Sequence, residues 1–271
     1  MTRRVLPGFS LSLGYTVFYL TVLVLLPIVA CFSKAGSLTF EQFWGAVWTE
    51  RTRAAYLLTF GASFTAAVIN LFLGLLIAWV LVRYQFPGRR LMDSLIDLPL
   101  ALPTAVGGLV YASLYVKKGW LGQYLVPLGI QAAYSRLAIV LVLVFIGLPF
   151  VVRTVQPVLE DLDPETEEAA ASLGATRGQA FRRVILPSLL PALITGFALA
   201  FARALGEYGS VVFVSGNMPY KTEIAPVLIV ARLEEFAYGE AAAIAVVLLA
   251  MSFTTLFSIN LIERWSARHH G

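Results

Sequence analysis

Six stretches of this chain are each long and apolar enough to cross a bilayer, at roughly residues 11–32, 54–82, 94–116, 137–156, 189–214 and 236–262. A helix needs about 20 mostly apolar residues to span the hydrocarbon layer. Lipid offers no partner to backbone N–H and C=O groups, so each such stretch is driven toward helix. Only 13% of the 271 residues are charged and 59% are hydrophobic, whereas soluble domains are about a quarter charged. The expectation is an all-α integral membrane protein with six transmembrane helices. It forms a single membrane domain over residues 1–271, with membrane lipid as its solvent.

The other counts mostly exclude functions. A net charge of +4 could suggest nucleic acid, but in so apolar a chain it reflects arginines gathered at one membrane face. The single cysteine, Cys31, excludes an intrachain disulfide and a cysteine-built metal site. The two histidines, His269 and His270, sit outside every apolar stretch. No G-x-x-x-x-G-K-[ST], H-E-x-x-H or G-x-S-x-G run occurs, so the chain is expected to be no enzyme, with no catalytic residue, metal or cofactor of its own.

The stretches differ in ways that carry information. The first has a basic start (Arg3, Arg4) and ends near Ile28-Val29-Ala30-Cys31. Its apolar run exceeds the roughly 7–15 residues of a signal core, which favours a retained helix. The second contains Asn70 and a series of small residues suited to close helix packing. The third reads Asp97-Leu98-Pro99-Leu100-Ala101-Leu102-Pro103-Thr104-Ala105-Val106-Gly107-Gly108. Two prolines and a glycine pair predict a bent or broken helix, which membranes tolerate where protein buries it or where it lines a cavity. Pro149 predicts a kink in the fourth, and Arg153 near its end is placed to snorkel to the interface.

The fifth holds Arg203 near its middle and Glu207 one turn further on, so the two side chains share a face. Charges at such depth face a bundle interior or a wet path. Two readings follow, a gate on a substrate route and a structural ion pair. Thr104, Gly107, Gly108, Ser210 and Asn70 are further candidates for lining a path.

Between the fourth and fifth stretches lies one polar island, DLDPETEEAAASLGATRGQAFRRVILP, over residues 161–187. Asp163 is a good N-cap with Pro164 at the first helical position. Gly174 is a natural stop, and Thr176 with Gln179 has capping-box spacing. The spacing predicts two short helices meeting at a glycine elbow, within a loop over 157–188.

Glu168-Ala169-Ala170, then Gly174, then Val184-Ile185-Leu186-Pro187 resembles the EAA loop of ABC-importer permeases, with Val184 where that family usually carries isoleucine. Further segments at 56–61, 78–88, 97–107, 147–173 and 196–210 resemble the sulfate/thiosulfate permeases of that class, specifically their T-type subunit. The resemblance implies a molybdate/sulfate-type permease bundle in a bacterial plasma membrane. ATP and Mg would be bound by separate ABC ATPase subunits, docked through Glu168, Ala169, Ala170, Gly174, Leu186 and Pro187. It also implies a second homologous permease subunit and an extracytoplasmic sulfate-binding protein. Lysines and arginines number ten in the connections on the side of both termini and eight on the other. That bias points weakly to cytoplasmic termini, as does the EAA resemblance. A molybdate or tungstate permease is the nearest alternative. An ion-driven secondary transporter is a more distant one, with Glu207 and Asp97 as its acidic candidates.

Overall fold

The computed structural model describes residues 8–269, so Arg3, Arg4 and His270 lie outside the described residues. Every regular element among them is helical. Five helices are long and apolar enough to cross a membrane. They are α1 (Phe9–Ala35), α3 (Glu50–Arg83), α8 (Arg136–Glu160), α10 (Arg177–Leu205) and α13 (Tyr238–His269), the last apolar over Tyr238–Leu261. Shorter helices join them. These are α2 (Phe40–Val47), α4 (Arg89–Ile96), α5 (Leu98–Ala101), α6 (Thr104–Tyr115), α7 (Gly122–Leu125), α9 (Pro164–Ser172), α11 (Val211–Val214) and α12 (Ala225–Glu234).

The third and fifth predicted stretches are where the structure departs from the expectation. The third is not one span. It ends α4, continues as the single turn α5, breaks at Leu102 and Pro103, and resumes as α6. At about 1.5 Å per residue, the 12 residues of α6 fall short of the bilayer core alone. The fifth was placed at 189–214, but α10 begins at Arg177 and stops at Leu205. Arg203 therefore stands in the last turn of the helix rather than at its middle. The second helix after the glycine elbow is likewise not short, because it runs straight on as α10. A π turn over Phe181–Ile185 widens the backbone just ahead of Pro187, which has no N–H to give an ordinary helical bond to the Arg183 carbonyl. By contrast, α8 stays helical through both Pro149 and Pro157.

Helices α3, α8 and α10 pack mutually and form the centre of the bundle. Burying apolar side chains drives little association in lipid, so backbone-close contacts have to hold these helices. A Cβ added at Gly74 would come 2.6 Å from a Val151 methyl, and one at Gly196 would come 2.4 Å from Thr154 Oγ1. The main core cluster lies around these contacts, with Phe201, Leu189, Val152 and Leu159 buried. Helix α13 packs on α10 and α12 and carries the C-terminal half of α1. There Cys31 Sγ lies 3.9 Å from the Ala242 carbonyl.

At one end of the bundle, the C-termini of α3 and α8 meet the loop that carries α9. At the far end the chain is tied by long-range polar contacts. Arg51 donates to both carboxylate oxygens of Glu223 at 2.7 and 2.6 Å. Arg136 donates to the Lys221 carbonyl at 2.9 Å. The Thr59 hydroxyl accepts from the Ala225 N–H at 2.8 Å, satisfying an orphan donor at the start of α12.

The break in α6 is held by a contact that leaves no room for a side chain. A Cβ at Gly108 would come 2.2 Å from the Ser210 carbonyl oxygen. Gly108→Val is expected to cost about 1–3 kcal/mol through overpacking, seen as a lower melting temperature in detergent. Gly61→Ala, at a glycine whose added Cβ would touch nothing within 4 Å, should leave melting unchanged. Equal melting of both variants would contradict the tight crossing.

Candidate functional site

Two places bring the candidate residues together. The first is the elbow. Asp163 caps α9 by accepting from the Glu165 N–H at 3.0 Å, and Glu165 and Glu167 fill its first turn, where negative charge suits the helix dipole. The helix ends at Leu173, and Gly174 turns the chain with φ +83. That left-handed conformation is open to glycine and strained for most side chains. The restart is the expected capping box. Gln179 N–H donates to Thr176 Oγ1 at 3.4 Å, and Gln179 Oε1 accepts from the Thr176 N–H at 2.8 Å.

Glu168, Ala169 and Gly174 are exposed on this elbow, while Leu186 and Pro187 sit half-buried at the base of α10. Leu173 was not singled out in the sequence, yet it is 89% exposed at the tip. A leucine inside a run of charged and small residues was the available signal. The elbow thus presents one apolar knob framed by alanines and an acidic turn, a form suited to a cleft on another protein.

The second place is the crossing of the two broken helices. The segment 206–210 between α10 and α11 lies against the start of α6. A Cβ at Gly209 would come 2.3 Å from Thr104 Oγ1. Gly107 and Gly108 are buried beside it. Glu207 is 2% exposed, and its carboxylate holds the break together. One oxygen accepts from both the N–H and the hydroxyl of Ser210 at 2.9 Å, and the other accepts from Arg203 at 2.5 Å. The Arg203 side chain is 34% exposed, so the pair has one buried and one accessible end.

Asn70 lies apart from this crossing. It is buried in the bundle centre, where a Cβ at Gly147 would come 2.5 Å from its Nδ2. Neither amide atom has a hydrogen-bond partner among the described residues, a cost of roughly 1–3 kcal/mol.

Arg153, near the end of α8, meets carboxylates of the preceding connection. It clasps α4 and the turn after it, donating to Asp93 at 2.7 Å and to both oxygens of Asp97 at 2.9 and 2.6 Å. It also donates to Gln156 at 2.8 Å. Asp93 was missed because its i, i+4 partner in sequence is another acid, Asp97, and only the fold supplies the arginine that joins them.

A family model described as "Binding-protein-dependent transport system inner membrane component" matches residues 70–269. The chain is 51% identical to the sulfate transport system permease protein CysT of Salmonella typhimurium over 262 residues, covering 97% of this chain and 95% of that one. It is likewise 51% identical to CysT of Synechococcus elongatus, covering 97% and 94%. Among solved structures it is similar to a bacterial ABC transporter involved in the import of the acidic polysaccharide alginate. That match has TM-score 0.78 at 15% identity and covers 94% of each chain. At that identity the likeness speaks to the fold alone. With a family model over most of its length and half its residues identical to full-length members, this chain belongs to the inner-membrane components of binding-protein-dependent transport systems.

Proposed function

We propose that this chain is the membrane-spanning subunit of an ATP-driven sulfate importer, with thiosulfate as a second substrate. The observation that carries the reading is its identity of about half, end to end, with proteins named sulfate transport permeases. The elbow at Gly174 and the crossing at Gly108 and Ser210 give that reading its working parts. A separate ATPase grips the elbow through Leu173, Glu168, Ala169 and Ala170, while Leu186 and Pro187 seat the second arm. ATP and Mg belong to that ATPase. A homologous second permease completes the path, and an extracytoplasmic binding protein delivers the anion. The elbow and both termini then face the cytoplasm of a bacterial inner membrane.

The ion-driven alternative loses its coupling groups. Asp97 is engaged by Arg153 and Glu207 by Arg203, so neither carboxylate stands free to carry a cation. Molybdate remains the rival substrate. With the ATPase, the partner permease and the binding protein in proteoliposomes, labelled sulfate should accumulate only when ATP is present on the elbow side. Unlabelled sulfate or thiosulfate should compete at far lower concentration than molybdate. Molybdate competing better than sulfate would transfer the assignment to the molybdate class.

At the crossing, Thr104, Gly107, Gly108 and Ser210 set the narrow part of the route, and Arg203 with Glu207 keeps it formed. Asn70 tunes the packing behind it. Arg203→Ala strands a buried carboxylate and is expected to cost about 1–3 kcal/mol. Adding Glu207→Gln, which removes the charge as well, should recover part of the lost melting temperature. Identical melting of the single and double variants would contradict the pairing.

Gly174→Asp is expected to abolish uptake while the protein remains folded, because it adds a side chain and a negative charge to the exposed elbow alone. Gly174→Asn, which has nearly the same shape and the same tolerance of the left-handed region but no charge, should retain more uptake. Unchanged uptake in Gly174→Asp would overturn the role of the elbow.

A further inference from the structure

The last turn of α3 touches both arms of the elbow. Arg83, the final residue of that helix, donates through Nη2 to Glu167 in the first turn of α9. The two residues are 84 apart in sequence. The same guanidinium lies over the Trp79 ring, 5.2 Å from its centroid. Trp79 in turn meets Phe181 edge to face, with centroids 5.5 Å apart at 81°. Phe181 opens the π turn at the base of the second arm. One helix end therefore grips the arm before the elbow by charge and the arm after it by aromatic contact. Neither Arg83 nor Glu167 is fully exposed, at 25% and 30%, so solvent only partly screens the pair.

The other end of the same helix is equally fastened. Arg51, at the opposite terminus of α3, holds the buried carboxylate of Glu223 through two hydrogen bonds. Glu223 lies in the loop that follows α11, beyond the crossing. Helix α3 has 34 residues with no interruption, or about 50 Å at 1.5 Å per residue. In between, Gly74 brings it close to α8, and it also packs on α10. An unbroken helix is stiff along its axis, and the breaks of the bundle fall outside α3, before α6 and after α10. A push on the elbow therefore has a continuous path to the far loop through α3, beside that of α8, whose Arg136 also reaches the loop at the Lys221 carbonyl.

We propose that Arg83 and Glu167 are positioning residues that latch the elbow to α3, and that α3 is the strut carrying elbow displacement to the Arg51–Glu223 end of the molecule. This rests on the importer reading above. In that setting Glu167 faces inward to Arg83, while Glu168 and Leu173 face the ATPase. The latch governs how much anion moves per ATP and leaves ATPase docking intact.

The test uses the complete reconstituted transporter and reads two quantities together, ATP hydrolysed and labelled sulfate imported. The wild-type complex must first import sulfate with ATP; if it does not, the importer reading itself fails and the latch has not been reached. Given wild-type import, Arg83→Ala and Glu167→Gln should each co-purify with the ATPase and hydrolyse ATP, yet import at least three-fold less sulfate per ATP. The exchanged pair Arg83→Glu/Glu167→Arg should restore most of the ratio, a rescue that mere loss of packing would not allow. Trp79→Phe, which keeps an aromatic ring between Arg83 and Phe181, should stay near wild type. An unchanged ratio in both single variants would overturn the proposal. Loss of the ATPase from Glu167→Gln with Arg83→Ala still assembled would also overturn it, by making Glu167 a direct contact of the partner.

Discussion

The fold depends on one constraint, that lipid hydrogen-bonds nothing. A membrane helix can stop at depth only where protein covers the freed backbone groups. Two such breaks occur in this chain, one at Leu102 and Pro103 before α6 and one after Leu205 at the end of α10. The structure resolves both breaks by pressing them together. Gly108 lets α6 approach the Ser210 carbonyl, and the Glu207 carboxylate supplies an acceptor for the Ser210 N–H. Arg203 neutralises that carboxylate from its accessible side. One contact region therefore meets the backbone demand and buries a charge with its partner while leaving irregular backbone inside the bundle.

The rest of the bundle serves to hold that crossing still and to connect it to the elbow. The α3, α8 and α10 centre is knit by close approaches at Gly74, Gly147 and Gly196, which is how helices associate when lipid removes the hydrophobic advantage of burial. Around this centre, arginine–carboxylate pairs pin the connections. Arg153 fastens α4, Arg51 fastens the far loop, and Arg83 fastens α9. Each pair joins segments far apart in sequence, so together they fix the ends of the helices while the glycine contacts fix their middles.

Much of this was legible in the residues. The caps at Asp163 and Thr176, the turn at Gly174 and the broken third stretch follow from local chemistry, and the structure has them where the chain implies. Helical spacing put Arg203 and Glu207 on one face, and the fold pairs them although Glu207 lies just past the helix end. The end of α10 did not, because Val211, Val212 and Phe213 remain apolar beyond Gly206 and hydropathy cannot register a break that tertiary contact makes tolerable. The length of the second elbow helix was hidden for the opposite reason. Pro187 looks like a boundary, yet a π turn absorbs it. The partners of Arg83 and Arg153 could not be read either, since they lie 84 and about 60 residues away and no local pattern encodes them.

The proposed seat of a separate ATPase is the elbow. Cross-linking from its tip tests it most directly. With Cys31 replaced by serine, Leu173→Cys becomes the only thiol in the chain, and a short photo-activated reagent can be placed on it in the assembled membrane complex. The account predicts one major adduct, to a protein carrying a G-x-x-x-x-G-K-[ST] loop, with a yield that changes when ATP is added. No adduct in a complex that still imports sulfate, or an adduct only to lipid or to an extracytoplasmic protein, would contradict it.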